Sequence, residues 1–140
     1  KVIEYNCRFG DPETQVVLPR LQTDLLDIVD AIREERLAEL DIRWKEEACA
    51  CVVMASGGYP AAYRKGLPIS GLDQDGQLQE AYAVYHAGTA WKDGRFYTNG
   101  GRVLGVTAVA DTVAAALDKA YEAVQHIEFE NAHYRKDIGK

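Results

Sequence analysis

Asp93-Gly94-Arg95-Phe96-Tyr97-Thr98-Asn99-Gly100-Gly101-Arg102-Val103-Leu104-Gly105-Val106 holds two tight-turn signals, Asp93-Gly94 and Asn99-Gly100-Gly101, each flanked by residues that favour strands. The spacing predicts a three-stranded antiparallel meander over 82–90, 95–98 and 102–109, with Phe96, Val103 and Val106 available to a core. After it, Asp111 reads as the N-cap of a helix whose Val113, Leu117, Ala120, Tyr121 and Val124 form an apolar stripe. The polar tail 130–140 is expected to wrap the surface. Before the meander, residues 48–55 are continuously apolar, which reads as a buried strand closed by Ser56-Gly57-Gly58-Tyr59-Pro60. No repeat or heptad array points to a solenoid or coiled coil. The class is α+β: a small antiparallel, barrel-like meander with packed helices.

The N-terminal part has a different texture. Residues 1–9 alternate, with Ile3, Tyr5, Cys7 and Phe9 on one side and Val2, Glu4, Asn6 and Arg8 on the other, the period of a strand. Gly10-Asp11-Pro12-Glu13 then supplies a turn, a capping carboxylate, a proline at the first helical position and an acid in the first turn. A helix is expected over 12–18, ended or kinked at Pro19. A second, capped by Thr23 or Asp24, carries Leu25, Ile28, Val29, Ile32 and Leu37 at helical spacing. The charged stretch 40–47 lacks strong periodicity and marks the expected boundary between a strand-and-helix unit (1–45) and a C-terminal unit (46–140).

The formal charge of −6 argues against non-specific attraction to nucleic acid or an anionic membrane. No apolar run approaches the roughly 18–20 residues that span a bilayer, and the first residues lack a signal-peptide layout, so a cytoplasmic protein is expected. The absence of an initiator Met suggests a cut inside a longer protein. Three cysteines give no disulfide framework, and Cys49 and Cys51, on one face of an apolar strand, read as packing residues rather than a zinc site. His86, His126 and His133 are scattered without a nucleophile at triad spacing, and Trp44 and Trp91 read as packing residues.

Candidate chemistry sits on the first segment. As a strand, Glu4, Asn6 and Arg8 would emerge from one face about 6 to 7 Å apart. A carboxylate and an amide carbonyl are oxygen ligands suited to Mg²⁺, and an arginine one step on can fork onto a carboxylate or phosphate. Spacing alone is equally met by a solvated polar face. The glycine pairs Gly57-Gly58 and Gly100-Gly101 could turn amides toward a phosphate, although turning the chain is sufficient reason for them.

Taken whole, Glu4-Tyr5-Asn6-Cys7-Arg8-Phe9-Gly10-Asp11-Pro12-Glu13-Thr14-Gln15 resembles the end of the ATP-grasp domain of the glycinamide ribonucleotide synthetase (phosphoribosylamine-glycine ligase) family. The resemblance continues in order through Ser56-Gly57-Gly58-Tyr59-Pro60, His86-Ala87-Gly88-Thr89, Thr98-Asn99-Gly100-Gly101-Arg102-Val103-Leu104 and Tyr134-Arg135-Lys136-Asp137-Ile138-Gly139. It implies a C-terminal part of a ligase that joins glycine to 5-phosphoribosylamine through glycyl phosphate, with ATP cleaved, in purine biosynthesis. It further implies that Glu4 and Asn6 bind Mg²⁺ or Mn²⁺, that Arg8 acts on the glycine carboxylate or the transferred phosphoryl group, and that Arg102 lies on the substrate side. The family's ATP-binding loop, lysines and adenine pocket precede the first residue here, so the chain by itself is expected to be inactive. Docking to those preceding domains is expected. The competing readings are a non-catalytic interaction module and a piece of another ATP-grasp carboxylate-amine ligase.

Overall fold

The computed structural model describes residues 1–78 and 82–139. Its helices are α1 (Thr14–Val17), α2 (Leu25–Arg33) and α3 (Val113–Val124), and its strands are β1 (Ala48–Ala55), β2 (Tyr82–His86), β3 (Thr89–Lys92), β4 (Arg95–Thr98) and β5 (Arg102–Ala110). Short 3₁₀ turns follow α1 at Leu18–Arg20 and α2 at Leu37–Glu39.

β5 is the centre of the molecule. It pairs antiparallel with β1 on one side, Ala48 opposite Ala110 and Val52 opposite Val106, and with β2 on the other, Val84 opposite Val106. A strand paired on both edges and covered on both faces has no use for polar side chains, which is why Val103–Val109 reads as an almost unbroken apolar run. On the face toward α3, Val52, Met54, Leu104, Val106 and Val84 meet Ala120, Ala123 and Val124. The alanines let α3 lie close to the sheet, and the Thr112 hydroxyl caps the helix by accepting from the Ala115 amide. Tyr134 and Ile138 of the tail pack against the same core, as the wrapping tail was expected to do.

Several expectations change. The meander becomes two open sheets: β1-β5-β2, and a separate β3-β4 hairpin turned at Asp93-Gly94. The expected strand 82–90 breaks at Ala87-Gly88, because β5 takes β2 as its partner and leaves the hairpin outside. Among the described residues nothing closes into a barrel, and residue 140 of the expected tail lies outside them. The capping residue of α3 is Thr112 rather than Asp111; Leu117, Ala120 and Val124 of the expected stripe are buried together with Ala116 and Ala123, while Val113 in the first turn is 61% exposed.

The N-terminal expectations shift more. Residues 1–9 form no strand, since no described residue offers them a ladder and an unpaired strand leaves its amides and carbonyls to solvent. The first helix begins at Thr14, not Pro12; no side chain caps it, and the Asp11 carboxylate meets Gln15 and Arg102 instead. α2 is capped by Asp24, which accepts from the Leu26 amide at 2.8 Å, but of its residues only Ala31 is fully buried. Leu26, Val29 and Ile32 remain exposed, and Leu37 lies beyond the helix. Trp44 and Trp91 are also about half exposed, Trp91 edge-on to Phe96.

Leu104→Ala, at a fully buried position, should lower unfolding free energy by about 2–5 kcal/mol in urea denaturation. Val113→Ala, at a site the helical pattern would have placed inside, should change it by no more than about 0.5 kcal/mol.

Candidate functional site

The end of the sheet where β1 leaves and β5 enters gathers the glycine-rich loops. The Ser56 amide donates to the Gly101 carbonyl at 2.8 Å, and its hydroxyl donates to the Gly100 carbonyl at 2.8 Å. The Gly88 amide donates to the Arg102 carbonyl at 2.9 Å, and the Asn99 amide to the Gly88 carbonyl at 2.7 Å. A Cβ on Gly88 would stand 2.5 Å from the Gly100 Cα and 2.6 Å from the Arg102 carbonyl oxygen, so backbone crosses backbone there and only glycine fits. At Gly101 a Cβ would run into the Tyr59 ring. The amides of Ser56, Gly88 and Asn99 are thus committed to protein carbonyls rather than presented to a ligand.

The N-terminal segment meets this sheet end through Arg102. Its Nη1 donates to the Asp11 main-chain oxygen at 2.7 Å and lies 3.4 Å from Asp11 Oδ2. The Gln15 amide nitrogen donates to Asp11 Oδ1 at 2.9 Å. The Thr14 amide donates to the Gly10 carbonyl at 3.0 Å, and its hydroxyl reaches the same oxygen. Glu4, Asn6 and Arg8, all exposed, lie just before this turn. Asn6 Oδ1 accepts from the Arg8 amide at 3.1 Å, and Arg8 Nη1 donates to the Phe9 carbonyl at 3.2 Å. The strand-like row of these side chains is replaced by a local turn.

Among the described residues no three His, Cys, Asp or Glu side chains stand together as a metal site. The donor set of Glu4 and Asn6 nevertheless suits Mg²⁺ or Mn²⁺ chemically, since Mg²⁺ takes one or two protein oxygens and fills its remaining positions with phosphate oxygens and water. Asp11 and Gln15 escaped the sequence reading because a carboxylate ahead of a helix signals a cap. Their lateral partner lies far along the chain and has no local signature.

The histidines and cysteines have structural surroundings. His86 Nε2 lies 2.8 Å from the Gly76 carbonyl, which can only accept, so Nε2 carries the proton; Nδ1 lies 2.9 Å from Thr89 Oγ1. His133 exchanges backbone hydrogen bonds with Ala55. Cys49 and Cys51 sit half-buried on the sheet face away from α3, and burial pushes both thiols above the usual thiol range.

The chain matches the family model described as "Phosphoribosylglycinamide synthetase, C domain" over residues 49–140. It belongs to that family. It is 49% identical over 138 residues, 99% of the chain, to the phosphoribosylamine–glycine ligase of Caldanaerobacter subterraneus subsp. tengcongensis. It is likewise 49% identical over 140 residues to the trifunctional purine biosynthetic protein adenosine-3 of Gallus gallus. The crystal structure of phosphoribosylamine–glycine ligase from Thermotoga maritima superposes with a TM-score of 0.75 at 36% identity, covering 97% of this chain and 32% of that one. The chain spans about a third of the length of the bacterial relatives it matches, 32% of the Caldanaerobacter protein, and 14% of the chicken protein. Those matches extend past the C-domain boundary into the segment that carries Glu4, Asn6 and Arg8.

Gly88→Ala should cost about 1–3 kcal/mol of stability, read by thermal or urea unfolding, because neither facing backbone can withdraw. Iodoacetamide at pH 8 should alkylate exposed Cys7 first, with Cys49 and Cys51 at least about tenfold slower until the protein unfolds. Since burial raises these two thiols above their unfolded values, their contribution to stability is complete at neutral pH. It is lost as pH rises through their folded-state values, which an alkaline series of urea midpoints should register as a decline.

Proposed function

We propose that this chain is the C-terminal part of an ATP-dependent ligase that joins glycine to 5-phosphoribosylamine, with ATP cleaved to ADP and phosphate, in purine biosynthesis. The observation that carries the reading is near-complete coverage of the chain, at about half identity, by relatives named phosphoribosylamine–glycine ligase. Residues 1–45 are taken as the end of an ATP-grasp domain and 46–140 as the C-terminal domain, with α1 resting on β1 and β5 across that boundary.

In this reading the Glu4 carboxylate and Asn6 carbonyl hold Mg²⁺ or Mn²⁺. The metal, when bound with ATP, would neutralise charge on the phosphate oxygens during transfer. Arg8, whose guanidinium donates to the adjacent Phe9 carbonyl, would offer its remaining donors to the glycine carboxylate or the transferred phosphoryl group. Arg102, bonded to Asp11, is taken to lie on the substrate side. Exposed Leu26, Val29 and Ile32 on α2 supply an apolar surface for docking against preceding domains of the longer polypeptide. No helix among the described residues is long and apolar enough to cross a membrane; the reading takes the longer polypeptide as cytoplasmic.

The test uses a polypeptide of the relatives' full length. ADP release should require both glycine and phosphoribosylamine, and Glu4→Ala and Asn6→Ala should each lower kcat by about 100-fold or more. The 140-residue chain alone should show no turnover, because its Glu4–Arg8 segment lies open to solvent with nothing to exclude water from a transferring phosphoryl group. ADP release indifferent to glycine would sink the assignment.

A further inference from the structure

Asp11 is held from both sides. Gln15 donates to one carboxylate oxygen, and Arg102, from the first position of β5, donates to the main-chain oxygen and approaches the other carboxylate oxygen. Gln15 lies across Gly105 of β5, its Cγ 3.8 Å from where a Cβ on that glycine would sit, and its carbonyl faces the Cys49 thiol at 3.9 Å. Residues 10–17 are therefore clamped onto the outer face of the sheet. Residues 1–9, by contrast, are exposed throughout, and among the described residues the side chains of Asn6 and Arg8 bond only within the segment. What fixes the direction of Glu4, Asn6 and Arg8 relative to the sheet must pass through this clamp.

We propose that Arg102 is a positioning residue, which acts through Asp11 to set where Glu4, Asn6 and Arg8 stand relative to the glycine-rich end of the sheet. The inference rests on the ligase reading above for the chemistry of those three residues. The pair is not a stability device: both side chains are substantially exposed, 41% for Arg102 and 59% for Asp11, and ion pairs between exposed groups contribute little to folding. Its effect is geometric. The 2.7 Å bond ends on a main-chain oxygen, so it restrains the backbone just ahead of α1 rather than a free side chain. Misplacing a metal-holding segment by even an ångström is expensive for phosphoryl transfer, whereas it is nearly invisible to unfolding.

Two measurements test it in the full-length polypeptide. Hydrogen exchange should rise at the Thr14, Val16 and Val17 amides in Arg102→Ala with little change in Tm, since these amides close the turn that Asp11 enters. Mn²⁺ affinity in the presence of ATP, read by electron paramagnetic resonance, should weaken about tenfold in the same variant. Arg102→Lys, which can still make one hydrogen bond to the Asp11 carbonyl, should recover most of both losses. Unchanged exchange at those amides overturns the proposal. So does unchanged Mn²⁺ affinity with a raised KM for glycine or phosphoribosylamine, which would make Arg102 a direct substrate contact. Failure of the underlying reading shows separately: Glu4→Ala and Asn6→Ala would then leave Mn²⁺ affinity intact, while the exchange result still reports whether Arg102 holds the clamp.

Discussion

Pairing of β5 on both edges is the constraint from which the rest follows. Its hydrogen bonds to β1 and β2 make one sheet of segments that are distant along the chain, and its apolar side chains supply the layer on which α3 lies. Because β5 starts at Arg102, directly after the Asn99-Gly100-Gly101 turn, the same pairing carries that turn against Ser56 and Gly88. The sheet's register and the shape of the candidate site are one fact. Gly88 and Gly100 can meet only because Ala87 and Gly88 continue the β2 ladder past its last strand residue, bonding to the Val103 and Arg102 carbonyls.

How much of this was legible depended on whether the deciding interaction was local. The turn at Asp93-Gly94, the strand Ala48–Ala55 and the helix after Asp111 all announce themselves within a few residues, and all are present. Strand partnership is different. Nothing in 82–109 states that β5 will skip the hairpin and return to β2, because that choice is made by burial on both faces of β5 and by the arrival of β1 from the far side. The helical stripe of α3 was read correctly at Leu117, Ala120 and Val124, with Tyr121 packed beside the core; Val113, in the first turn, faces solvent, and the small Ala116 and Ala123 carry burial that their size does not announce.

In the candidate site, residue type suggested a chemistry, and the geometry inferred from spacing was not the one found. Glu4, Asn6 and Arg8 stand out as a chemically meaningful set, yet the alternation that suggested a strand fails where no ladder exists for it. Asp11 looked like a cap and proved to be a hub between Gln15 and Arg102, a contact across most of the chain. Alignments to the ligase relatives, about half identical over nearly the whole chain, take in the same segment. That likeness gives the three residues a context that their spacing could not.

The β1–β5 ladder also has a kinetic side. Ala55 opposes Arg102 and Ala48 opposes Ala110, so each of its bonds closes a loop of tens of residues before any burial rewards it. The β3-β4 hairpin, joined by a two-residue turn, needs no such closure and is free to form early. β1 is thus the strand with the highest closure cost, and Ser56 and Tyr59 come with it. A chain without β1 docked would lack the Ser56 side of the loop cluster, and the outer sheet face would have nothing at Cys49 for Gln15 to rest on.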